Sequence, residues 1–261
     1  MLSNTPKTKV NLYDARFDFL TPTAPTTFYA VATIPRTGSS FLCEKLWRTG
    51  QLGAPYEYFN YQNLMIQMIL RLGVNSLQDY VKRIFELRTS PNGFFGFKLF
   101  PEHFQFMRLA QILWRFPHLK FIYLVREDIL AQAISYNRSM QTSQWSNYDI
   151  PQSEAKYDYN SLLSSLGKIE QSINFWGNYF RNNNIQPYRI TYEQFISDPD
   201  SETENILNVF GLKYDKSITV DIPEFNKQKY GNNTDWKEQF YNDLKKNNPN
   251  IFNKYMKLFN S

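Results

Sequence analysis

Apolar positions along the chain follow two rhythms. Four short runs are apolar almost without a break: FYAVATI from Phe28, FFGFKLF from Phe94, LKFIYLV from Leu119 and YRITY from Tyr188. Such runs, rich in β-branched and aromatic residues, suit strands buried on both faces. Between them apolar residues recur three and four apart. From Ser40 this spacing picks out Leu42, Cys43, Leu46 and Trp47, with Glu44 and Arg48 paired four apart and Gly50 closing the helix. Further helical patterns cover Phe104 to Trp114, Asp128 to Met140 and Ser201 to Phe210. The longest runs from Tyr157 to Asn182 and carries Tyr159, Leu162, Leu163, Leu166, Ile169, Ile173, Trp176 and Phe180 as a core stripe. A last helix from Asp235, interrupted near Pro249, packs Trp236, Phe240 and Leu244. Strands alternating with helices predict an α/β fold with a parallel sheet flanked by helices on both faces, in a single domain over 28–261. The opening residues 1–27, which include TPTAPTT, read as an arm ordered on contact or a loose tail.

Composition narrows the classes. With 42% hydrophobic and 17% aromatic residues the chain supports a sizeable core, which excludes global disorder. The formal charge of +5 is dispersed, with no basic block of the kind that marks a nucleic-acid tail. Cys43 is the only cysteine, so no intrachain disulfide and no cysteine-based zinc cluster can form. Its neighbours Phe41, Leu42 and Leu46 predict a buried core thiol. The start lacks the apolar core of a signal peptide, and no run approaches the roughly 20 apolar residues of a membrane span. A soluble, cytoplasmic protein is expected.

The chemistry concentrates after the first strand. In ATIPRTGSSFLCEKL, Pro35 ends the ladder, Gly38 permits a tight turn and a helix begins. Such a junction aims unpaired N–H groups and the positive helix end at one point, where an anion belongs. Thr37, Ser39 and Ser40 add hydroxyls, and Arg36 a fixed charge suited to phosphate-like oxygens. The competing reading is an ordinary N-cap by Ser39 or Ser40. A nucleotide triphosphatase loop would read G-x-x-x-x-G-K-[ST], whereas here there is one glycine and no lysine at that place. That favours a phosphate-containing donor over magnesium-assisted ATP hydrolysis.

PRTGSSFLCEKL resembles the 5′-phosphosulfate loop of sulfotransferases that use 3′-phosphoadenosine-5′-phosphosulfate (PAPS), and LWRTGQLGAPYEYFN is close to the bacterial trehalose 2-sulfotransferase family. The likeness resumes in FGFKLFPEHF, LVREDILAQAISYNRSMQTSQW, ITYEQFISDPDSETENILNVFGL and, more faintly, NKQKYGNNTDW, while the tail and the insert from Tyr148 to Tyr157 lie outside it. It implies the sulfotransferase fold, P-loop-like, with Arg36, Thr37, Gly38, Ser39 and Ser40 at the donor's 5′ end and no metal. Arg126 leaves the end of a buried strand, where ligands of open α/β sheets collect. The resemblance implies that Arg126 and Ser135 hold the 3′-phosphate; an ion pair of Arg126 with Glu127 or Asp128 is the plainer alternative. It also implies that Lys227, Gln228 and Lys229 lie in a loop over the donor, with Lys227 and Lys229 near the 3′-phosphate and Gln228 near the nucleotide; a solvated basic loop is the alternative.

The acceptor must lose a proton, so a base is needed. Glu57, in GAPYEYF, matches the glutamate base of the trehalose-type pattern, and its burial is expected to raise its basicity; His103, in KLFPEHF, is the rival. Arg36 is read as an electrostatic clamp on the departing phosphate. Arg138, Gln141, Thr142 and Trp145 match R-x-x-Q-T-x-x-W, share one helical face and are implied to line the acceptor pocket; Trp145 in the core with Gln141 solvated is the alternative. The implied activity is sulfuryl transfer from PAPS to a small polar acceptor, either a disaccharide such as trehalose or a natural product such as an alkaloid. No nucleic acid and no membrane is the expected partner, and a homodimer is a state such families often adopt. The competing classes are a phosphate-loop kinase or NTPase, disfavoured by the missing lysine, and a non-catalytic module for nucleotides or nucleic acid.

Overall fold

The computed structural model describes residues 11–145, 149–222 and 234–256. Strand β1 (Thr27–Ala32) is followed by α1 (Ser39–Arg48), α2 (Leu64–Leu72) and α3 (Leu77–Arg88); β2 (Phe94–Leu99) by α4 (Pro101–Leu109); and β3 (Lys120–Val125) by α5 (Ile129–Thr142) and α6 (Tyr159–Asn182). After β4 (Tyr188–Thr191) come α7 (Tyr192–Ser197), α8 (Pro199–Val209), α9 (Thr234–Asn247) and α10 (Pro249–Tyr255). The four strands form one parallel sheet in the order β2-β1-β3-β4. Chain order reverses between β1 and β3, and at such a switch point the loops leaving the strand ends diverge and open a crevice.

The chain divides into two compact units, each taken by itself: Tyr13–Glu127 with Ser172–Glu224, and Met1–Leu12 with Asp128–Gln171 and Phe225–Ser261. The first holds the sheet. Side chains alternate across each strand. Tyr29, Val31, Ile122, Leu124 and Ile190 pack on one face against Leu42, Cys43 and Leu46 of α1 and Ile206 and Leu207 of α8. Phe28, Phe95 and Phe97 pack on the other with Phe85 of α3 and Phe116, and Phe121 packs with Trp176 and Phe180. Both faces are covered, as continuous apolar strands require. Gly96 admits the Tyr29 ring, which a Cβ would meet at 2.2 Å, and the Tyr29 hydroxyl reaches the Leu52 carbonyl at 2.8 Å. Cys43 is fully buried, as expected, and burial pushes its thiol up to about 12.

The second unit packs α9 on the first half of α6 and on α5. Tyr159 lies 5.7 Å from Phe240, Tyr157 donates its hydroxyl to Asp243 at 2.9 Å, and Asn137 donates to Ser161 and Ser165 at 2.6 and 3.0 Å. Helix α4 starts three residues before its expected position because Pro101 occupies the first helical site, where its missing N–H costs nothing. It also ends sooner: Gln111 at φ 52° breaks it, and Leu113–Arg115 form a separate 3-10 turn. Helices α2, α3 and α7 were not legible as apolar stripes. Among the described residues, no helix is long and apolar enough to cross a membrane.

Candidate active site

The turn after β1 is built from buried hydroxyls. Thr37 donates to the Ile34 carbonyl at 3.0 Å and shares a 2.6 Å bond with Thr33, whose hydroxyl lies 3.0 Å from the Leu124 carbonyl of β3. Trp176 braces the same turn, its indole donating to the Thr33 carbonyl at 3.0 Å. Thr37 is fully buried, and its hydroxyl is engaged in holding the turn together. Arg36 and Gly38 both have left-handed backbone, at φ 70° and 79°, and a Cβ on Gly38 would meet the Tyr192 ring at 2.6 Å. Gly38 is the N-cap of α1 and no side chain caps that helix among the described residues, so neither Ser39 nor Ser40 serves as an ordinary cap. The amides of Gly38, Ser39 and Ser40 donate to no acceptor among the described residues. Three N–H groups and the positive end of α1 thus converge beside Arg36.

Next to this turn lies a buried cation that sequence reasoning missed. Lys98, near the end of β2, is 2% exposed; its ammonium sits 3.0 Å from Ser40 Oγ and 2.7 Å from Glu57 Oε1, between the rings of Tyr56 and Phe100 at 5.4 and 5.6 Å. The Lys98 amide donates to the Tyr56 carbonyl at 2.8 Å, and Asn60 donates to Glu57 Oε2 at 2.9 Å. Burial pushes the Glu57 carboxyl up, but the Lys98 charge above all, with the neighbouring His103 and the bonds from Lys98 and Asn60, outweighs it and holds the group below its ordinary value. The expectation that burial would raise Glu57's basicity is therefore corrected: a cation in contact wins over desolvation.

His103, on the first turn of α4, is 4% exposed, and burial lowers it to about 4, with Glu57 pulling up and Lys98 pushing down. It is a neutral imidazole at neutral pH whose Nδ1 has no partner among the described residues. The two base candidates thus act on each other's titration.

Arg126 follows β3 directly. Its Nη1 lies 3.5 Å from the Arg36 carbonyl, its guanidinium 4.8 Å from the Tyr192 ring centre and its Nε 3.9 Å from Glu193, which is its ion-pair partner. The Nε makes no hydrogen bond among the described residues. Tyr192 therefore touches both the glycine turn and Arg126, and the two cationic positions lie side by side at the switch point.

In the second unit Ser135 is buried on α5. Arg138 holds its guanidinium 4.5 Å over the Trp236 ring, and Thr142 donates to the Arg138 carbonyl at 2.9 Å. Gln141 is committed at both ends of its amide: Nε2 donates to the Lys156 carbonyl at 2.9 Å and to Asn137 at 2.8 Å, and Oε1 accepts from the Lys156 amide at 2.9 Å. Ser153 donates to the Gln141 carbonyl at 2.6 Å. Trp145 is 45% exposed and meets Tyr136 edge-on at 5.9 Å. Of the four residues expected to wall an acceptor pocket, Gln141 instead latches the insert, and Trp145 is the most open. Lys227, Gln228 and Lys229 lie outside the described residues. No group of three or more His, Cys, Asp or Glu side chains able to hold a metal occurs among the described residues.

Residues 28–243 match the Stf0 sulphotransferase family. The chain belongs to this family. It is 24% identical over 225 residues to the trehalose 2-sulfotransferase of Mycobacterium tuberculosis, covering 70% of this chain and 84% of that protein. It is 23% identical over 230 residues to the trehalose 2-sulfotransferase of Mycolicibacterium smegmatis, covering 71% and 84%. A sulfotransferase from Alicyclobacillus acidocaldarius shares the fold, with a TM-score of 0.50 at 12% identity over 85% of this chain and 92% of that one. The matched Stf0 region contains the glycine turn, Glu57, Lys98, His103, Arg126 and the α5 motif. Membership makes the protein a transferase with the P-loop-like sulfotransferase fold. Within that region the signal for Lys98 was a charged residue inside an apolar strand: at period two it shares the α1 face with Phe94 and Gly96, a costly place for an ammonium without partners.

Proposed function

We propose that this Stf0 sulfotransferase moves the sulfuryl group of PAPS to a hydroxyl or amine of a small polar acceptor of the trehalose class, with Glu57 as general base. The observation that carries the reading is the Lys98 ammonium bonded at once to Ser40 and to Glu57, which couples the uncapped turn to a carboxylate. The residues fit the donor's charges. The open amides of Gly38, Ser39 and Ser40, with Arg36, suit a phosphosulfate, and the Nε of Arg126, which makes no hydrogen bond among the described residues, suits a second phosphate.

PAPS supplies the sulfuryl group in an activated mixed anhydride. Glu57 accepts the acceptor's proton as its oxygen or nitrogen bonds to sulfur and the sulfur–oxygen bond to phosphate breaks. Charge growing on the phosphate oxygen falls on the turn amides, Arg36 and Lys98. An ammonium shared between Ser40 and Glu57 loosens its hold on Glu57 as negative charge gathers at the turn, so the carboxylate's proton affinity rises when it is required. His103, neutral and more deeply buried, shapes the pocket.

Labelled PAPS offered with trehalose, other disaccharides and amine-bearing natural products tests the reading. Label is expected in a sugar hydroxyl. Transfer only to amines would move the acceptor class, and absence of transfer alongside ATP turnover would overturn the activity.

A further inference from the structure

The Stf0 match begins at residue 28, yet residues 13–27 ahead of it belong to the sheet-bearing unit. Asp18 is the anchor. It takes Arg71 in two bonds, at 2.7 and 3.1 Å, and the fully buried Arg88 at 2.9 Å, while Arg88 also reaches the Asp14 carbonyl at 3.3 Å. Backbone bonds extend the attachment: the Phe19 amide to Leu87 at 2.9 Å and the Thr23 amide to Glu86 at 3.4 Å. Phe17 meets Trp47 of α1 edge-on at 6.1 Å. A guanidinium with no exposed surface is retained at a cost unless its partner stays, so this attachment is not casual.

The strap delivers one side chain to the carboxylate loop. Tyr13 is buried, its ring 4.9 Å from Tyr56 and 6.4 Å from Tyr58, the two residues that flank Glu57. Behind that loop stand Tyr80, whose hydroxyl donates to the Tyr58 carbonyl at 2.6 Å, and the Lys98 amide on Tyr56. Burial first and the Glu57 charge next push the Tyr13 phenol well above its ordinary range, so it stays neutral beside the carboxylate.

We infer that Tyr13, held by the Asp18–Arg71–Arg88 cluster, is a positioning residue for Glu57: the segment ahead of the family region closes the front of the carboxylate loop and fixes where Glu57 points. The role belongs to the ring, through its edge contact with Tyr56. The inference gives the proposed base a further support and matters for catalysis only if Glu57 is that base, but its test does not depend on turnover.

Native-state hydrogen exchange on the whole chain reads the loop through the amides of Tyr58, Lys98 and Asn60, which bond to Tyr56 and Glu57 carbonyls. Tyr13→Ala and Asp18→Asn are each expected to speed exchange there by about tenfold or more, with the β3 amides unchanged. Tyr13→Phe should exchange like the wild type. Should Tyr13→Ala not fold, Tyr13→Leu takes its place. Wild-type exchange at the amides of Tyr58, Asn60 and Lys98 in both disruptive variants overturns the inference, as does acceleration of these and the β3 amides by one common factor. Glu57→Gln with undiminished turnover would instead strike the base assignment while leaving the exchange result standing.

Discussion

The turn after β1 and the last two turns of α5 carry motifs of similar clarity, yet the structure uses their polar groups in opposite ways. At the turn, the hydroxyls of Thr33 and Thr37 are spent on the chain while the amides of Gly38, Ser39 and Ser40 stay open. On α5, Gln141 has both ends of its side chain bonded to the backbone of Lys156. A motif says which residue types recur; only the bonding pattern says which still have capacity for a ligand. Buried polar groups that are already satisfied gain nothing from another partner.

Four substitutions, with His103→Ala as a control on the first, probe this contrast in falling order of effect. Glu57→Gln should cut sulfuryl transfer by roughly 10²- to 10⁴-fold while the affinity for the product nucleotide 3′-phosphoadenosine-5′-phosphate (PAP) is kept, measured by steady-state kinetics and calorimetry. If His103→Ala alone abolishes turnover, the base is the imidazole. Lys98→Met should cost roughly 10²-fold or more in kcat, and it should also move the acidic limb of the pH–rate profile. With Lys98 present the Glu57 carboxyl is held below its ordinary value, so the limb lies below the usual carboxylate range. Without the cation the largest pull against burial is gone, leaving His103 and the Asn60 bond, and the limb moves to higher pH. The same depressed value means that Glu57 lends stability above its unfolded pKa, which is lost as pH falls through the folded one.

Arg126→Ala should weaken PAP binding by about 1.5 to 3 kcal/mol, the scale of charge-assisted bonds. The variant should bind nucleotides with and without a 3′-phosphate alike; one that still discriminates places that phosphate elsewhere. Gln141→Ala should have the smallest effect, about 1 to 2 kcal/mol of stability for the bonds that latch the insert, seen as faster proteolysis within 149–157 and an unchanged donor affinity. A large rise in acceptor KM with normal proteolysis would return Gln141 to the acceptor wall.

Much of this was legible beforehand for a physical reason. The four strands are buried on both faces, so their runs are apolar throughout, and α6 carries its stripe over 24 residues. Short helices were harder. Helix α7 has six residues and rests on a capping box between Thr191 and Gln194 more than on an apolar face. The open turn and Arg126 could be read because strand ends and helix starts dictate where backbone groups are left over. The Lys98 contacts could not: β2 read as an apolar run, and which charge meets Glu57 is decided by β2 lying beside β1 and the Tyr56 segment pairing onto Phe97. The sign of the Glu57 shift was missed for the same cause. Tyr13 escaped because its importance comes from Asp18 meeting two arginines more than 50 residues away along the chain.

The central claim is that the glycine turn and Arg126 hold the two charged ends of one nucleotide. Calorimetric titration of the wild-type chain with PAP and with adenosine 5′-phosphate tests it most directly. PAP should bind about 10- to 150-fold more tightly, the worth of a paired 3′-phosphate. Equal affinities, or a magnesium-dependent preference for ATP, would contradict it.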